Sequence, residues 1–204
     1  MSRKIKRKND NYLRDAFVLC GITLVLALIL GGVYMMTKEP IDEAAEKGKQ
    51  VAYQNVFPDN ETINIVNDEE LTKAAVEYEP EDTKTKITEA VKVTDAAGSD
   101  IGTAYIAATK GYGGTLTVSV GVNKEGVVTG IDIVSMNETA GLGANCTKDD
   151  FKAQYAGKSG EISVTKSETP ADNEISAISG ATITSDAVTD AVNKCLSFAE
   201  SYGL

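Results

Sequence analysis

The run from Ala16 to Met36 is the feature that most constrains how this chain can fold. It is apolar, contains no charged residue, and is about as long as the roughly 20 residues that a helix needs to cross a bilayer. The run is too long for the apolar region of a secretory signal peptide, and no small-x-small cleavage pattern follows it. We therefore predict a retained transmembrane helix over residues 16–36.

The charges on the two sides of this run differ in sign. The first fifteen residues contain six Lys or Arg and two Asp, whereas the 204-residue chain as a whole has a net charge of −10. Basic flanks stay on the cytoplasmic side of a membrane. This predicts a cytoplasmic tail over residues 1–15 and an extracytoplasmic body, in a single-pass protein of the cell membrane. The acidic body also argues against nucleic acid as a partner, because phosphate binding needs Lys and Arg.

The chain contains no histidine, so it lacks the commonest metal ligand and the usual general base. Its three cysteines follow no metal-binding spacing. Cys20 lies in the apolar run, and a disulfide between Cys146 and Cys195 remains open, with two separate buried thiols the favoured alternative. We predict no metal site and no catalytic residue.

Alternating and helical patterns follow the apolar run. Residues 37–90 are predicted to be a membrane-proximal stalk with a helix at 41–55, a turn at 57–60, a strand at 62–66, a helix at 69–78 and a loop at 79–82. Beyond it we expect strands at 90–94, 102–108, 115–122, 127–134 and 162–165, a hairpin loop at 123–126 and a short helix at 149–155. These elements predict an α+β fold: an antiparallel sheet packed with helices and preceded by one N-terminal transmembrane helix.

The strongest helical periodicity lies near the C-terminus. Apolar residues recur there as a single stripe: Ala187, Val188, Ala191, Val192, Cys195, Leu196 and Ala199. The stretch before the stripe, Ser179-Gly180-Ala181-Thr182-Ile183-Thr184-Ser185, is small and rich in hydroxyls. Thr184 or Ser185 is predicted to be the N-cap, and the N–H groups of the first turn form a natural seat for a phosphate. Alone, such a stretch is usually only a cap.

Two blocks of sequence resemble a known family. Ser179-Gly180-Ala181-Thr182, followed by Ile183-Thr184-Ser185, is similar to the flavinylation motif of the FMN-binding domain shared by the G subunit of Rnf complexes and the C subunit of sodium-pumping NADH:quinone oxidoreductases. Glu138-Thr139-Ala140-Gly141-Leu142-Gly143 resembles the family's Glu-Thr-Pro-Gly-Leu-Gly. The resemblance covers residues 91–204, an FMN-binding domain by this interpretation, and the membrane anchor. Three positions depart from the family pattern: Ala140 replaces a proline, Asn137 a frequent histidine, and Ser176 the leading aspartate of the flavinylation motif.

In this family the threonine after Gly-Ala carries FMN through a phosphoester bond that a dedicated flavin transferase installs. The resemblance therefore implies covalent FMN on Thr182. It implies further cofactor-binding positions at Ser179, Gly180, Ala181, Thr184, Ser185, Glu138, Thr139, Gly141, Leu142 and Gly143.

Individual roles can be assigned to some of these positions. Gly141 and Gly143 would let the main chain approach the flavin, Leu142 would offer an apolar face, and Glu138 and Thr139 would make polar contacts. Without the resemblance, Glu138 is interpreted as a solvent-facing carboxylate. The turn containing Tyr112, residues 111–114, is a further candidate because its glycines could bring backbone near a planar ligand; a flexible hairpin turn explains it equally well.

By this resemblance the protein is an electron-transfer subunit of a membrane-bound, ion-translocating ferredoxin:NAD⁺ oxidoreductase, closest to the Rnf G subunit. Its FMN would relay electrons within a complex that couples the reaction to Na⁺ or H⁺ transport, and the chain would hold no complete active site of its own. The membrane-embedded A, D and E subunits of the complex and the flavin transferase are the expected partners. Two alternatives remain: the C subunit of a Na⁺-translocating NADH:quinone oxidoreductase, and a membrane-anchored extracytoplasmic ligand-binding module without a redox role.

Overall fold

A computed structural model describes residues 12–60, 62–79, 84–167 and 169–203. The chain divides into two compact units, Met1–Lys47 and Gly48–Leu204. The helices are α1 (Tyr12–Asn55), α2 (Glu69–Glu77), α3 (Asp149–Lys152) and α4 (Thr182–Tyr202), with 3-10 helices at Gly143–Thr147 and Ala153–Tyr155. The strands are β1 (Ile63–Asn67), β2 (Lys86–Asp95), β3 (Asp100–Lys110), β4 (Thr115–Asn123), β5 (Val128–Ser135), β6 (Ser163–Thr165) and β7 (Glu174–Ser176).

Helix α1 contains the predicted membrane span. Every side chain described between residues 12 and 47 is exposed, and the helix is long and apolar enough to cross a membrane by length and composition. The sequence predicts one helix at 16–36 and another at 41–55, whereas the structure joins them with Pro40 inside α1. A proline inside a helix lacks one N–H and crowds the carbonyl four residues earlier, but the neighbouring Lys38, Glu39 and Ala44 favour or tolerate helix on both sides of Pro40.

The first five strands form one sheet in the order β1-β2-β3-β4-β5, and every neighbouring pair is antiparallel. Each of these five strands overlaps a predicted one, and the hairpin loop predicted at 123–126 joins β4 to β5. The turn predicted at 57–60 follows α1. Of the loop predicted at 79–82, residues 80–82 lie outside the described residues. The α+β fold with an antiparallel sheet and an N-terminal apolar helix is thereby confirmed.

One face of the sheet packs against α4. All seven residues of the predicted stripe on this helix are buried. All of them except Ala187 share one apolar cluster with side chains of alternating strand positions, among them Tyr105 and Ala107 of β3 and Val118 and Val120 of β4. Strand side chains alternate between the two faces of a sheet, and helix side chains return to the same face every 3.6 residues. The spacing of the apolar residues along the sequence therefore indicates which side chains form this interface.

The opposite face of the sheet packs against the end of α1 and the turn after it. Tyr53, Val56 and Phe57 are buried there with apolar side chains of β2 and β3. Val56 lies over a cross-strand glycine pair, Gly121 and Gly130. A Cβ at Gly121 would lie 2.6 Å from the carbonyl oxygen of Val56, so these glycines let backbone pack directly on the sheet.

Strands β6 and β7 form a separate parallel pair. The sequence predicts β6 but not β7, which is three residues long and lies in a polar stretch. Its pairing depends on distant partners: the Ser176 N–H donates to Gln154 Oε1 over 2.7 Å, and the Ser176 hydroxyl donates to the Ser167 carbonyl over 2.7 Å. No local pattern encodes bonds of this kind, and they fix the chain just before the start of α4.

Replacing Gly121 by alanine is expected to destabilise the Gly48–Leu204 unit. The new methyl group would meet the Val56 carbonyl, a backbone atom that cannot rotate away. Overpacking of this kind costs about 1–3 kcal/mol. Thermal unfolding of the detergent-solubilised full-length chain should show a lower melting temperature.

The matched control is Gly48→Ala, in the helical part of the same unit. A Cβ there meets nothing within 4 Å, so alanine should instead stabilise the helix by roughly 0.5–1 kcal/mol. Equal melting temperatures for the two variants would contradict the packing described for Val56.

Candidate functional site

A cavity of about 440 Å³ lies at the N-terminal end of α4. Three segments that are distant in sequence build it: the β3–β4 turn, the loop between β5 and the first 3-10 helix, and the start of α4. Its lining is Tyr112, Glu138, Thr139, Leu142, Gly143, Gly180, Ala181, Thr182, Ile183 and Thr184.

A tight turn leads the chain into α4. The Ala181 N–H donates to the Ile178 carbonyl over 2.9 Å, and Gly180 takes a positive φ of 74°, which favours glycine. The buried Ser185 closes this turn, because its hydroxyl oxygen accepts the Ile178 N–H over 2.9 Å and donates to the Ala181 carbonyl over 3.1 Å. The turn and the helix start therefore form one hydrogen-bonded unit.

The N-cap prediction is wrong. Helix α4 begins at Thr182, with Ala181 in the N-cap position and no capping side chain. Thr184 and Ser185 lie inside the first turn and are buried. Their hydroxyls do not cap the helix but bond to groups that only the folded chain brings close: Ser185 to the preceding turn and Thr184 to a glutamate of another loop.

The missing cap leaves the first N–H groups of α4 free. Those of Thr182, Ile183 and Thr184 have no intrahelical acceptor, as in any helix, and they make no hydrogen bond within the part of the chain that the structure describes. The hydroxyl of the half-buried Thr182 likewise has no partner among the described residues. All three residues line the cavity, so the site offers one free hydroxyl beside three free amides.

Glu138 joins the three segments of the site. Its Oε2 accepts the Thr184 hydroxyl over 2.9 Å, and its Oε1 accepts the Gly113 N–H over 3.1 Å. The side chain is half-buried. The structure therefore contradicts the interpretation of Glu138 as a purely solvent-facing carboxylate.

The cavity rim is apolar and almost uncharged. Tyr112, Leu142 and Ile183 are 72%, 45% and 55% exposed. Glu138 is the only charged residue in the segments 111–119, 133–147 and 175–185. An anionic group bound here would therefore meet the amides and the positive end of the helix dipole rather than Lys or Arg.

Nine of the twelve predicted site residues line this cavity, and three do not. Ser185 is buried and fully engaged, while Ser179 and Gly141 are exposed outside the lining. The sequence missed Ile183, which also lines the cavity. Ile183 precedes Ala187 by four residues and therefore lies on the same helix face as the buried stripe. It belongs to the first turn of α4, where that face borders the cavity.

Gly143 lies against two other residues of the site. A Cβ at this position would lie 2.5 Å from Glu138 Oε2 and 2.6 Å from Thr184 Oγ1. The space that the glycine leaves is filled by the Glu138–Thr184 hydrogen bond. Gly143 is buried, and its lack of a side chain makes room for this contact within the protein.

Cys146 and Cys195 are buried free thiols. Burial, with a smaller contribution from Glu138, raises the pKa of Cys146 to about 11, and burial also raises the pKa of Cys195. Thiols that stay protonated at neutral pH are poor nucleophiles and poor metal ligands. Among the described residues no cluster of His, Cys, Asp or Glu could hold a metal ion.

Comparisons with known proteins identify a domain family in this part of the chain. The profile of the FMN-binding domain family matches residues 111–197, which include all three cavity segments. The G subunit of the Na⁺-translocating ferredoxin:NAD⁺ oxidoreductase complex from Acetobacterium woodii is 36% identical, over 86% of each chain. The G subunit of the proton-translocating complex from Clostridium ljungdahlii is 45% identical over 46% of this chain and 51% of that protein.

Among solved structures, NqrC from Shewanella oneidensis resembles this chain with a TM-score of 0.50. The match covers 71% of this chain and 82% of NqrC at 18% sequence identity. Identity at this level shows a shared fold and nothing further.

Replacing Ser185 by alanine should loosen the turn before α4. The change leaves the Ile178 N–H without its acceptor, and an unsatisfied buried donor costs about 1–3 kcal/mol. Chemical denaturation of the full-length chain in detergent should report this loss. The control is Ser197→Ala, an exposed serine of the same helix, for which we expect a change within about 0.5 kcal/mol. Equal stability of both variants would contradict the bonding of Ser185.

Proposed function

Since this chain belongs to the family of G subunits of ion-translocating ferredoxin:NAD⁺ oxidoreductase complexes, whose FMN-binding domain it contains, we propose that it transfers electrons through FMN bound covalently to Thr182. One observation carries the proposal: the free hydroxyl of Thr182 lines a cavity beside the uncapped start of α4. Thr184 and Ser185 share its chemistry but are buried and engaged.

Attachment requires an activated flavin donor. The Thr182 oxygen would form a bond to the phosphorus of a flavin pyrophosphate such as FAD. The pyrophosphate P–O bond would break, a nucleoside monophosphate would leave, and the hydroxyl proton would pass to a base of the flavin transferase. The phosphate joined to Thr182 keeps one negative charge, which the free amides of the first turn of α4 can stabilise.

The cavity suits the remainder of such a cofactor. Leu142, Ile183 and Tyr112 provide apolar surface for a planar ring, and Thr139 provides a hydroxyl for its polar edge or sugar chain. FMN supplies the redox chemistry when bound, and the protein binds and orients it. The chain thus acts as an electron carrier without a complete active site of its own.

The membrane arrangement follows from charge and hydropathy. We place residues 1–15 in the cytoplasm and residues 16–36 in the bilayer. The membrane-proximal stalk, residues 37–90, and the FMN-binding domain, residues 91–204, would then lie outside the cytoplasm. A cofactor lost there could not be recovered from a cytoplasmic pool, which favours covalent attachment. Electrons would pass between this chain and the membrane-embedded A, D and E subunits of the complex, after a flavin transferase has loaded Thr182.

The attachment site can be tested by replacing Thr182 with valine. The variant keeps the shape of the side chain but lacks the attacking oxygen, so in-gel flavin fluorescence and the mass added by one FMN should both disappear after co-expression with a flavin transferase. Thr62→Val, at an exposed threonine remote in sequence from the site, should keep both signals. Fluorescence that persists in Thr182→Val would assign the flavin to another residue.

The orientation can be tested with single cysteines. Lys47→Cys should react with a membrane-impermeant maleimide in intact cells, whereas Lys4→Cys should react only after lysis. Both variants carry Cys20→Ser, because Cys20 is exposed, whereas the native Cys146 and Cys195 are buried and contribute little background. The opposite labelling pattern would place the body of the protein in the cytoplasm.

A further inference from the structure

The carboxylate of Glu138 connects every segment that builds the cavity. One oxygen accepts the Thr184 hydroxyl from the first turn of α4, and the other accepts the Gly113 N–H from the β3–β4 turn. Glu138 itself belongs to the third segment. Hydrogen bonds to a charged group contribute more than neutral ones, so this side chain is placed to hold the three segments together.

The surrounding glycines leave room for this carboxylate. A Cβ at Gly111 would lie 2.1 Å from Glu138 Oε1, and a Cβ at Gly143 would lie 2.5 Å from Glu138 Oε2. Real Cβ atoms do not approach other atoms so closely, so any side chain at either position would displace the carboxylate. Two glycines of the site thus leave room for the Glu138 carboxylate in the position where it makes its two hydrogen bonds.

Helix geometry relates the direction of the Thr182 side chain to that of Thr184. Successive residues of an α-helix are about 100° apart around its axis, so two residues separate their side chains by roughly 200°. A Thr184 side chain held inward by Glu138 therefore turns that of Thr182 away from it. The burial agrees with this geometry, since Thr184 is buried and Thr182 is half-buried at the cavity.

We propose that Glu138 is a positioning residue: it orients Thr182 for flavin attachment by holding Thr184 and the Gly113 turn, and it does not bind the flavin through its charge. This inference rests on the proposed attachment to Thr182. It assigns Glu138 a role through its bonds within the protein, because each carboxylate oxygen accepts a donor from another segment of the site.

Conservative and disruptive variants at the two bonded positions test the inference. The full-length chain in detergent is incubated with a purified flavin transferase and FAD, and the initial rate of FMN incorporation is measured by in-gel fluorescence. Glu138→Ala and Thr184→Val should each lower the rate by about tenfold, the equivalent of ~1.4 kcal/mol. Thr184→Ser keeps both hydrogen bonds. In Glu138→Gln the amide oxygen can accept the Gly113 N–H while the amide NH2 donates to the Thr184 hydroxyl, so both rates should stay within about twofold of the native rate.

The double variant and a remote control complete the set. If the two side chains act through one bond, Glu138→Ala combined with Thr184→Val should be no slower than Glu138→Ala alone. Glu125→Gln, at an exposed carboxylate of the β4–β5 loop, should leave the rate unchanged. A slow Glu138→Gln variant together with a native rate for Thr184→Val would show that the charge itself acts on the flavin or the transferase, and would overturn the proposal.

A second measurement needs no flavin and separates this inference from the proposed function. Hydrogen exchange of the peptide around Gly113 should be faster in Glu138→Ala than in the native chain and unchanged in Glu138→Gln. Unchanged exchange in Glu138→Ala would overturn the positioning role. A native chain that accepts no FMN, while the exchange result holds, would refute the attachment to Thr182 and leave the role of Glu138 in building the cavity.

Discussion

The hydrogen bonds of the first turn of α4 are the interactions on which the site depends. A helix that begins beside a sheet must satisfy its polar side chains wherever they become buried. Ser185 does so by bonding to the preceding turn, and Thr184 does so by bonding to Glu138. As a result the free amides of the helix remain available at the cavity instead of being capped.

Local patterns explain why the architecture could be predicted from the sequence. The central strands β3 and β4 are short, largely buried runs rich in apolar residues, and α4 carries one continuous apolar stripe, so each element shows its own signal within a few residues. The two motif blocks also identified most of the cavity lining, because the glycines and hydroxyls of each block are contiguous. Neither inference required knowledge of which segments meet.

The features that escaped prediction all depend on distant contacts. The choice between Thr184 and Ser185 as N-cap failed because their partners, Glu138 and Ile178, lie in other turns. The role of Gly143 could not be inferred, since the atoms that fill its space come from residues 138 and 184. Strand β7 was missed for the same reason. It pairs with β6, and Ser176 donates hydrogen bonds to Gln154 and Ser167, and none of these contacts produces a periodic pattern along the chain.

The fold, rather than residue type, distinguishes one hydroxyl from its neighbours. Ser179, Thr182, Thr184 and Ser185 are chemically alike and lie within seven positions of each other. Thr184 and Ser185 are buried and hydrogen-bonded, so their hydroxyls are not available for attachment. Ser179 is exposed but lies outside the cavity lining. Thr182 alone combines an unbonded hydroxyl with a place in the cavity wall next to free helix amides. A modifying enzyme that needs an accessible acceptor oxygen and a seat for phosphate charge would therefore find both at one residue.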